Sequence, residues 1–100
     1  IIEIGNKIFD LHRLELYNES HLIKLTNLEA SLLNLFAHNP EKIISREMVI
    51  DGLDLGQGRQ EFNERNVDVQ ITRLRKKIEP DPTNPRHLKT VRGRGYRFLP

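Results

Sequence analysis

The segment RNVDVQITRLRKK, residues 65–77, combines an apolar seam with a basic face. Its apolar residues recur three or four positions apart, as on the buried side of a helix: Val67, Ile71, Leu74 and, just beyond, Ile78. The same geometry turns a second set of side chains outward together: Arg65, Val69, Thr72, Arg73 and Lys76. This outward set offers cations to phosphate or guanine and a branched methyl group to thymine. The pattern therefore predicts a helix that enters a groove of DNA.

A second cationic segment, TVRGRGYRF, follows at residues 90–98. Residues 88–91 and 96–99 have the composition of two strands, and the Gly-containing stretch between them is typical of a tight turn. Such a turn projects Arg92 and Arg94 away from the body. A narrow minor groove, with its enhanced negative potential, accepts arginine side chains of this kind.

Charge is distributed unevenly along the chain, although the formal net charge is only +2. Residues 65–97 carry ten Lys/Arg and three Asp/Glu, a net of +7, and the rest carries six Lys/Arg and eleven Asp/Glu, a net of −5. Clustered positive charge at one end of a small domain indicates a polyanionic partner. A solvated charged helix is the alternative that charge alone leaves open.

Length and composition favour a binding module over an enzyme. One hundred residues with 37% hydrophobic content form one domain with a single core, which is too small for a second lobe around a catalytic cleft. The absence of cysteine excludes disulfides and thiolate zinc sites and is compatible with the cytoplasm. No metal site is expected, because the four histidines lack metal-ligand spacing. Phosphate-loop and serine-nucleophile motifs are also missing, so no cofactor, catalytic residue or small-molecule substrate is predicted. No apolar run reaches membrane-spanning length.

Short β-prone stretches separated by turn signals occupy residues 1–25 and predict an antiparallel meander. Ile2, Ile4, Leu14 and Leu16 are expected to share its half-buried face. Three helices should follow, over about 27–38, 46–54 and 64–79, and then a hairpin over 88–99. Thr26 begins the first helix as part of a capping box with Glu29, and Ser45 is a plausible N-cap for the second.

These elements and motifs resemble the OmpR/PhoB-type winged-helix domain, the DNA-binding half of many bacterial two-component response regulators. The resemblance covers essentially the whole chain and is closer to the OmpR side. The matching residues are Leu25-Thr26-x-x-Glu29-x-x-Leu32-Leu33, Ser45-Arg46-Glu47, Val67-Asp68-Val69-x-Ile71-x-Arg73-Leu74-Arg75-x-Lys77-Ile78-Glu79, Asp81-Pro82, Asn84-Pro85 and Thr90-Val91-Arg92-Gly93-x-Gly95-Tyr96-x-Phe98.

The resemblance implies an α+β winged helix-turn-helix: a four-stranded N-terminal antiparallel sheet, three helices and a C-terminal hairpin wing. It implies the third helix in the major groove and the wing in the minor groove, in a cytoplasmic, nucleoid-associated regulator of transcription. It also implies tandem binding of two copies and an RNA polymerase contact in the loop 54–62, for which the expected residues are Leu55, Gln57, Arg59 and Glu61. A receiver domain that carries the phosphorylation signal is expected upstream, outside these 100 residues.

Four side chains of the third helix are candidates for reading bases. Arg73 can present a two-pronged donor to guanine, with a phosphate contact as its alternative role. Val69 can touch a thymine methyl group. Asp68 can accept from cytosine or orient an arginine, and a favourable position in the helix dipole explains it equally well. Gln70 can pair with adenine, although a solvated glutamine is about as plausible.

Other polar residues fit the sugar–phosphate backbone, which receives most protein–DNA hydrogen bonds. They are expected to set register rather than sequence preference: Arg65, Thr72, Arg75, Lys76 and Thr90. Arg97 alternates with buried aromatic residues, so it reads as a solvent-facing strand residue. The remaining rival is a winged-helix module whose basic helix binds an acidic protein, and salt and sequence dependence of duplex binding would distinguish the two.

Overall fold

The predicted N-terminal meander is a four-stranded antiparallel sheet in the order β1-β2-β3-β4. The structure, a computed structural model, describes residues 1–53, 55, 58 and 61–100. The strands are β1 (Ile2–Ile4), β2 (Lys7–Asp10), β3 (Glu15–Asn18) and β4 (His21–Ile23). Ile4, Phe9 and Leu16 point from this sheet into the core and are fully buried.

The prediction that Leu14 lies on a strand was wrong. Leu14 has a left-handed backbone (φ 54) and belongs to the turn between β2 and β3. Its N–H donates to the carbonyl of Asp10 at 2.7 Å, and the Asp10 carboxylate accepts from the N–H groups of His12 and Arg13. These hydrogen bonds to Asp10 keep residues 12–14 in the turn, so β3 begins only at Glu15. Leu14 still packs against the core as a partly buried side chain.

The capping signals placed the first two helices correctly. Helix α1 (Asn27–Ala37) begins with a complete capping box: the N–H of Glu29 donates to Thr26 Oγ1, and the N–H of Thr26 donates to Glu29 Oε1. Helix α2 (Arg46–Gly52) begins at Ser45, whose Oγ accepts from the N–H of Met48. They end one and two residues earlier than expected, a difference within the usual uncertainty of helix ends.

Helix α3 (Glu64–Ile78) follows the predicted apolar seam, and Val67, Ile71, Leu74 and Ile78 are all fully buried. Its last predicted residue, Glu79, is instead the C-cap and is itself buried. The Glu79 carboxylate accepts from the backbone N–H groups of Arg86, His87 and Leu88 at 2.7 to 3.1 Å. It therefore joins the end of α3 to the start of the wing.

The wing consists of β6 (Leu88–Val91) and β7 (Gly95–Phe98), and β7 also pairs with a two-residue strand, β5 (Ile43–Ile44). Strand β5 was not predicted, because two isoleucines after a turn carry no periodicity. A Cβ at Gly95 (φ +135) would lie 2.2 Å from the carbonyl oxygen of Ile44. Glycine at this position thus allows the wing to approach the entry to α2.

One core lies beneath α1, α3 and the two sheets. It joins Phe9 of the N-terminal sheet, Phe36 of α1, Ile71 of α3 and Phe98 of the wing, all fully buried. The seam of α3 is therefore anchored from several directions. The opposite face of the helix is left at the surface.

Candidate nucleic-acid interface

The exposed face of α3 gathers most of the predicted contact residues into one open depression of about 310 Å³. Arg65, Val69, Thr72, Arg73 and Lys76 are exposed, as the helical period predicted. Val69 is 40% exposed although it is apolar. The depression is lined by Arg65, Asp68, Val69, Thr72, Arg73 and Lys76. Three cations, one carboxylate, one hydroxyl and the apolar side chain of Val69 thus share a single face of the helix.

Gln70 lies beside this face, and Thr72 lies within it. Gln70 is half-buried, and its pairing with adenine stays a prediction. The Thr72 hydroxyl donates to the carbonyl of Asp68 at 3.0 Å, one turn earlier in the same helix. Its oxygen keeps lone pairs, but its proton is engaged by the helix itself.

Asp68 is held by two partners from other elements. Nε of Arg46, the first residue of α2, donates to Asp68 Oδ1 at 2.7 Å. The Tyr96 hydroxyl of β7 donates to the same oxygen. Partial burial opposes ionisation of Asp68, but the hydrogen bonds from Tyr96 and Arg46 outweigh it and lower the pKa of this carboxyl. Asp68 is therefore a carboxylate at neutral pH and orients an arginine, one of the roles expected from the sequence.

The Tyr96 phenol is affected by the same hydrogen bond and also lies close to two arginines. Burial of the ring and the hydrogen bond to Asp68 raise the pKa of the Tyr96 phenol, so it stays a donor. The guanidinium groups of Arg46 and Arg75 lie 5.5 and 5.6 Å from the ring centroid, within cation–π range.

Arg75 and Thr90, both predicted to touch phosphate, contact each other. Arg75 Nε donates to the carbonyl of Leu88 at 2.9 Å, and Nη2 donates to Thr90 Oγ1 at 3.0 Å. Helix α3 is thereby tied to β6 of the wing. Neither contact tests a role at phosphate, which stays a prediction for both residues.

The wing turn carries its two arginines at the surface. Arg92 and Arg94 are exposed, and the turn is closed by a hydrogen bond from the N–H of Arg94 to the carbonyl of Val91 at 2.9 Å. Gly93 has a positive φ of 75° with open space around it. Glycine is needed there for the backbone and leaves the arginines unobstructed.

The residues expected to contact RNA polymerase are only partly described. Leu55 is partly buried and packs against the core, and Glu61 is exposed. Gln57 and Arg59 lie outside the described residues.

Arg46 and Tyr96 contact the site residue Asp68, although neither was predicted from the sequence to belong to the site. In the sequence, Arg46 belongs to the Ser45-Arg46-Glu47 motif, one of the motifs that carry the family resemblance. Its proximity to Asp68, 22 residues later, is a tertiary contact. In the described ranges, no cluster of His, Asp or Glu could hold a metal ion. None of the helices seen there has the length and apolar character to cross a membrane.

The family described as "Transcriptional regulatory protein, C terminal" matches residues 19–98, the part of the chain that holds α1, α2, α3 and the wing. The chain belongs to this family, the OmpR/PhoB type. Protein PetR of Rhodobacter capsulatus is 43% identical to this OmpR/PhoB-type chain over 104 residues, which cover 99% of the chain and 43% of PetR. The chain spans about two fifths of the length of the curated relatives it matches.

Solved structures of OmpR/PhoB-type proteins share the fold. The response regulator DrrB of Thermotoga maritima superposes with a TM-score of 0.85 at 30% identity, covering 99% of this chain and 44% of DrrB. The RstA DNA-binding domain of Klebsiella pneumoniae, in complex with the RstA box, gives a TM-score of 0.79 at 28% identity, covering 98% and 95%. The expected winged-helix architecture is thus confirmed. Both family and fold are those of DNA-binding regulator domains and not of enzymes.

Proposed function

We propose that this domain binds double-stranded DNA sequence-specifically, as the effector domain of a phosphorelay-controlled transcriptional regulator. The observation that carries the proposal is the exposed basic face of α3, on which Arg65, Arg73 and Lys76 surround the exposed Val69. Cations surrounding an exposed apolar side chain suit the major groove, where phosphates flank the base edges. The RstA complex supports the same use of the fold.

Within this proposal, α3 lies in the major groove and Val69, Gln70 and Arg73 read base edges. Arg65, Thr72 and Lys76 contact phosphates, because their exposed positions on the same face would meet the strands that border the groove. Arg75 and Thr90 stabilise the junction of α3 with β6. The N–H groups of Arg75 that are not used in these two bonds are available to phosphate.

The wing enters the neighbouring minor groove with Arg92 and Arg94. Both arginines are exposed at a glycine-shaped turn, and β6 and β7 are fixed to the body by Arg75 and by β5. A hairpin held to the body in this way can direct its exposed arginine side chains into a minor groove whose width depends on sequence.

The setting of the parent protein is proposed by likeness to response regulators. It would have a receiver domain upstream, act in the bacterial cytoplasm at the nucleoid, and bind DNA as a tandem dimer. The segment that includes Leu55, Gln57, Arg59 and Glu61 would contact RNA polymerase, and the exposed carboxylate of Glu61 supports a polar contact there.

A selection of bound sequences from a random duplex pool, repeated at two salt concentrations, tests the proposal. We expect one enriched motif, with affinity that falls steeply as salt rises. A domain that enriches no motif and does not bind duplex at low salt would instead fit a module for an acidic protein. The chain with Arg65, Arg73 and Lys76 all changed to Ala is the matched non-binding control.

A further inference from the structure

Arg46, Asp68 and Tyr96 bring three elements together at the edge of the α3 interface. Arg46 begins α2, Asp68 lies in the second turn of α3, and Tyr96 belongs to the wing strand β7. Oδ1 of Asp68 accepts from both of the others. Because Asp68 also lines the depression on the face of α3, the cluster borders the proposed DNA surface directly.

The guanidinium of Arg46 keeps donors available for a ligand. The hydrogen bond from Arg46 to Asp68 uses Nε, and the Tyr96 hydroxyl also interacts with the guanidinium. Because the two Nη groups together carry four N–H donors, donors remain for an incoming acceptor. About a third of the Arg46 side chain is exposed. The Tyr96 ring lies against its guanidinium, and the carboxylate fixes Nε, so the side chain is restrained from both sides.

The cluster also has an excess of positive charge. Arg46 and Arg75 both lie against the Tyr96 ring, and the carboxylate seen bonded to this group in the described part of the chain is that of Asp68. The two hydrogen bonds of Arg75 go to a carbonyl and a hydroxyl, which are neutral. Two cations and one anion leave a net charge of +1 beside the groove face, which favours a phosphate over a base edge.

We propose that Arg46 contacts a DNA phosphate and that Asp68 and Tyr96 are positioning residues for it, so that Asp68 does not read a base. The inference rests on the proposed DNA binding and assigns one more contact to it. A lone carboxylate facing the groove would repel phosphate, whereas Asp68 paired with Arg46 aims a cation instead. In this proposal the wing contributes to DNA affinity through Tyr96 of β7 as well as through Arg92 and Arg94 of its turn.

The test measures binding to a selected duplex and to a random duplex over a salt series, by fluorescence anisotropy. Arg46→Ala should weaken both complexes by the same factor, about fivefold to tenfold, and should lower the slope of log K against log salt by about 0.9. Arg46→Lys should keep the slope of log K against log salt but lose part of the affinity. Lysine retains the positive charge, but it lacks the planar set of guanidinium donors. Arg13→Ala is the matched control, since Arg13 is an exposed arginine in the turn between β2 and β3, and it should change neither quantity.

Two further variants distinguish a direct contact of Arg46 with phosphate from a role in which Arg46 only neutralises the charge of Asp68. If Arg46 only neutralises Asp68, the double variant Arg46→Ala with Asp68→Asn should bind like the wild type, and that result would overturn the proposal. We expect it to keep the reduced slope. Asp68→Asn alone should weaken all sequences alike, and a changed preference at one base pair would restore Asp68 as a base reader.

Tyr96→Phe keeps the ring and removes only the hydroxyl bond. It should weaken binding about twofold to threefold in the wild type and have no effect when Arg46 is already Ala, because its action passes through Arg46. Equal effects in both backgrounds would contradict the positioning role. Failure of the wild type to bind duplex refutes the proposed function itself, whereas an unchanged salt slope in Arg46→Ala refutes only this inference.

Discussion

Arg73 and Lys76 occupy the same exposed face of α3 but are assigned different roles, so they offer a test at the scale of single residues. Arg73→Ala should relax preference at one base pair and cost about 1 to 3 kcal/mol on the selected site. Lys76→Ala should weaken selected and random duplexes similarly. Binding titrations against a panel of single-base variants check this division, and equal losses on specific and random DNA for both variants would refute it.

Individual residues also show where sequence reasoning reached its limit. The exposure of Val69 and Arg73 followed from the helical period alone. The partners of Asp68 and Arg75 did not, because Arg46, Leu88, Thr90 and Tyr96 lie 13 to 28 residues away along the chain. A charged residue with an outward position can bond either to a ligand or to a distant segment, and periodicity does not distinguish these cases.

At the scale of elements, α1 and α3 are joined by a partly buried ion pair. Lys77 Nζ lies 2.5 Å from Glu29 Oε1, and it also donates to the carbonyl of Lys24 at 2.7 Å. Glu29 is almost fully buried, and its carboxylate caps α1 through Thr26 as well. Burial opposes ionisation, but the bonds from Lys77 and the Thr26 backbone outweigh it and lower the pKa of Glu29.

This lowered pKa predicts a dependence of stability on pH. The stabilisation is fully present above the usual carboxyl pKa of 4.5 and is lost as the pH falls through the lower pKa of the folded state. Glu29→Gln should therefore lower the free energy of unfolding by about 1.5 to 3 kcal/mol near neutral pH and flatten its decline in acid. Urea unfolding over a pH series measures both, with Glu3→Gln on the exposed sheet surface as control. An unaltered acid decline in Glu29→Gln would disprove this account.

The wing provides a second prediction for an element. Arg92→Ala should chiefly weaken sites with A·T-rich flanks, because narrow minor grooves there attract an arginine from the glycine-shaped turn. Comparing affinities for duplexes with A·T-rich and G·C-rich flanks measures the effect, and Lys89→Ala on the adjacent strand β6 serves as control. Footprints that show no minor-groove protection beside the major-groove site would count against it.

For the whole molecule, the placement of two copies on DNA is a matter of helical geometry. Two domains that present α3 to the same side of the duplex need half-sites about one turn apart, ~10 to 10.5 bp from centre to centre. Inserting about 5 bp between half-sites should remove any cooperativity, and inserting a full turn should restore part of it. Gel-shift titrations on such spaced sites make the comparison, and cooperativity that ignores spacing would argue against tandem binding.

The sequence by itself determined the local structure and the composition of the interface. Capping residues set the starts of α1 and α2, the apolar period set the seam of α3, and glycines marked the wing turn, because each depends on neighbours within a few residues. Only the tertiary structure decided that β5 joins the wing, that Leu14 lies in a turn, and that Arg46 and Tyr96 hold Asp68. Those features depend on contacts between segments far apart in the chain, and no local pattern encodes which distant partner a polar side chain will meet.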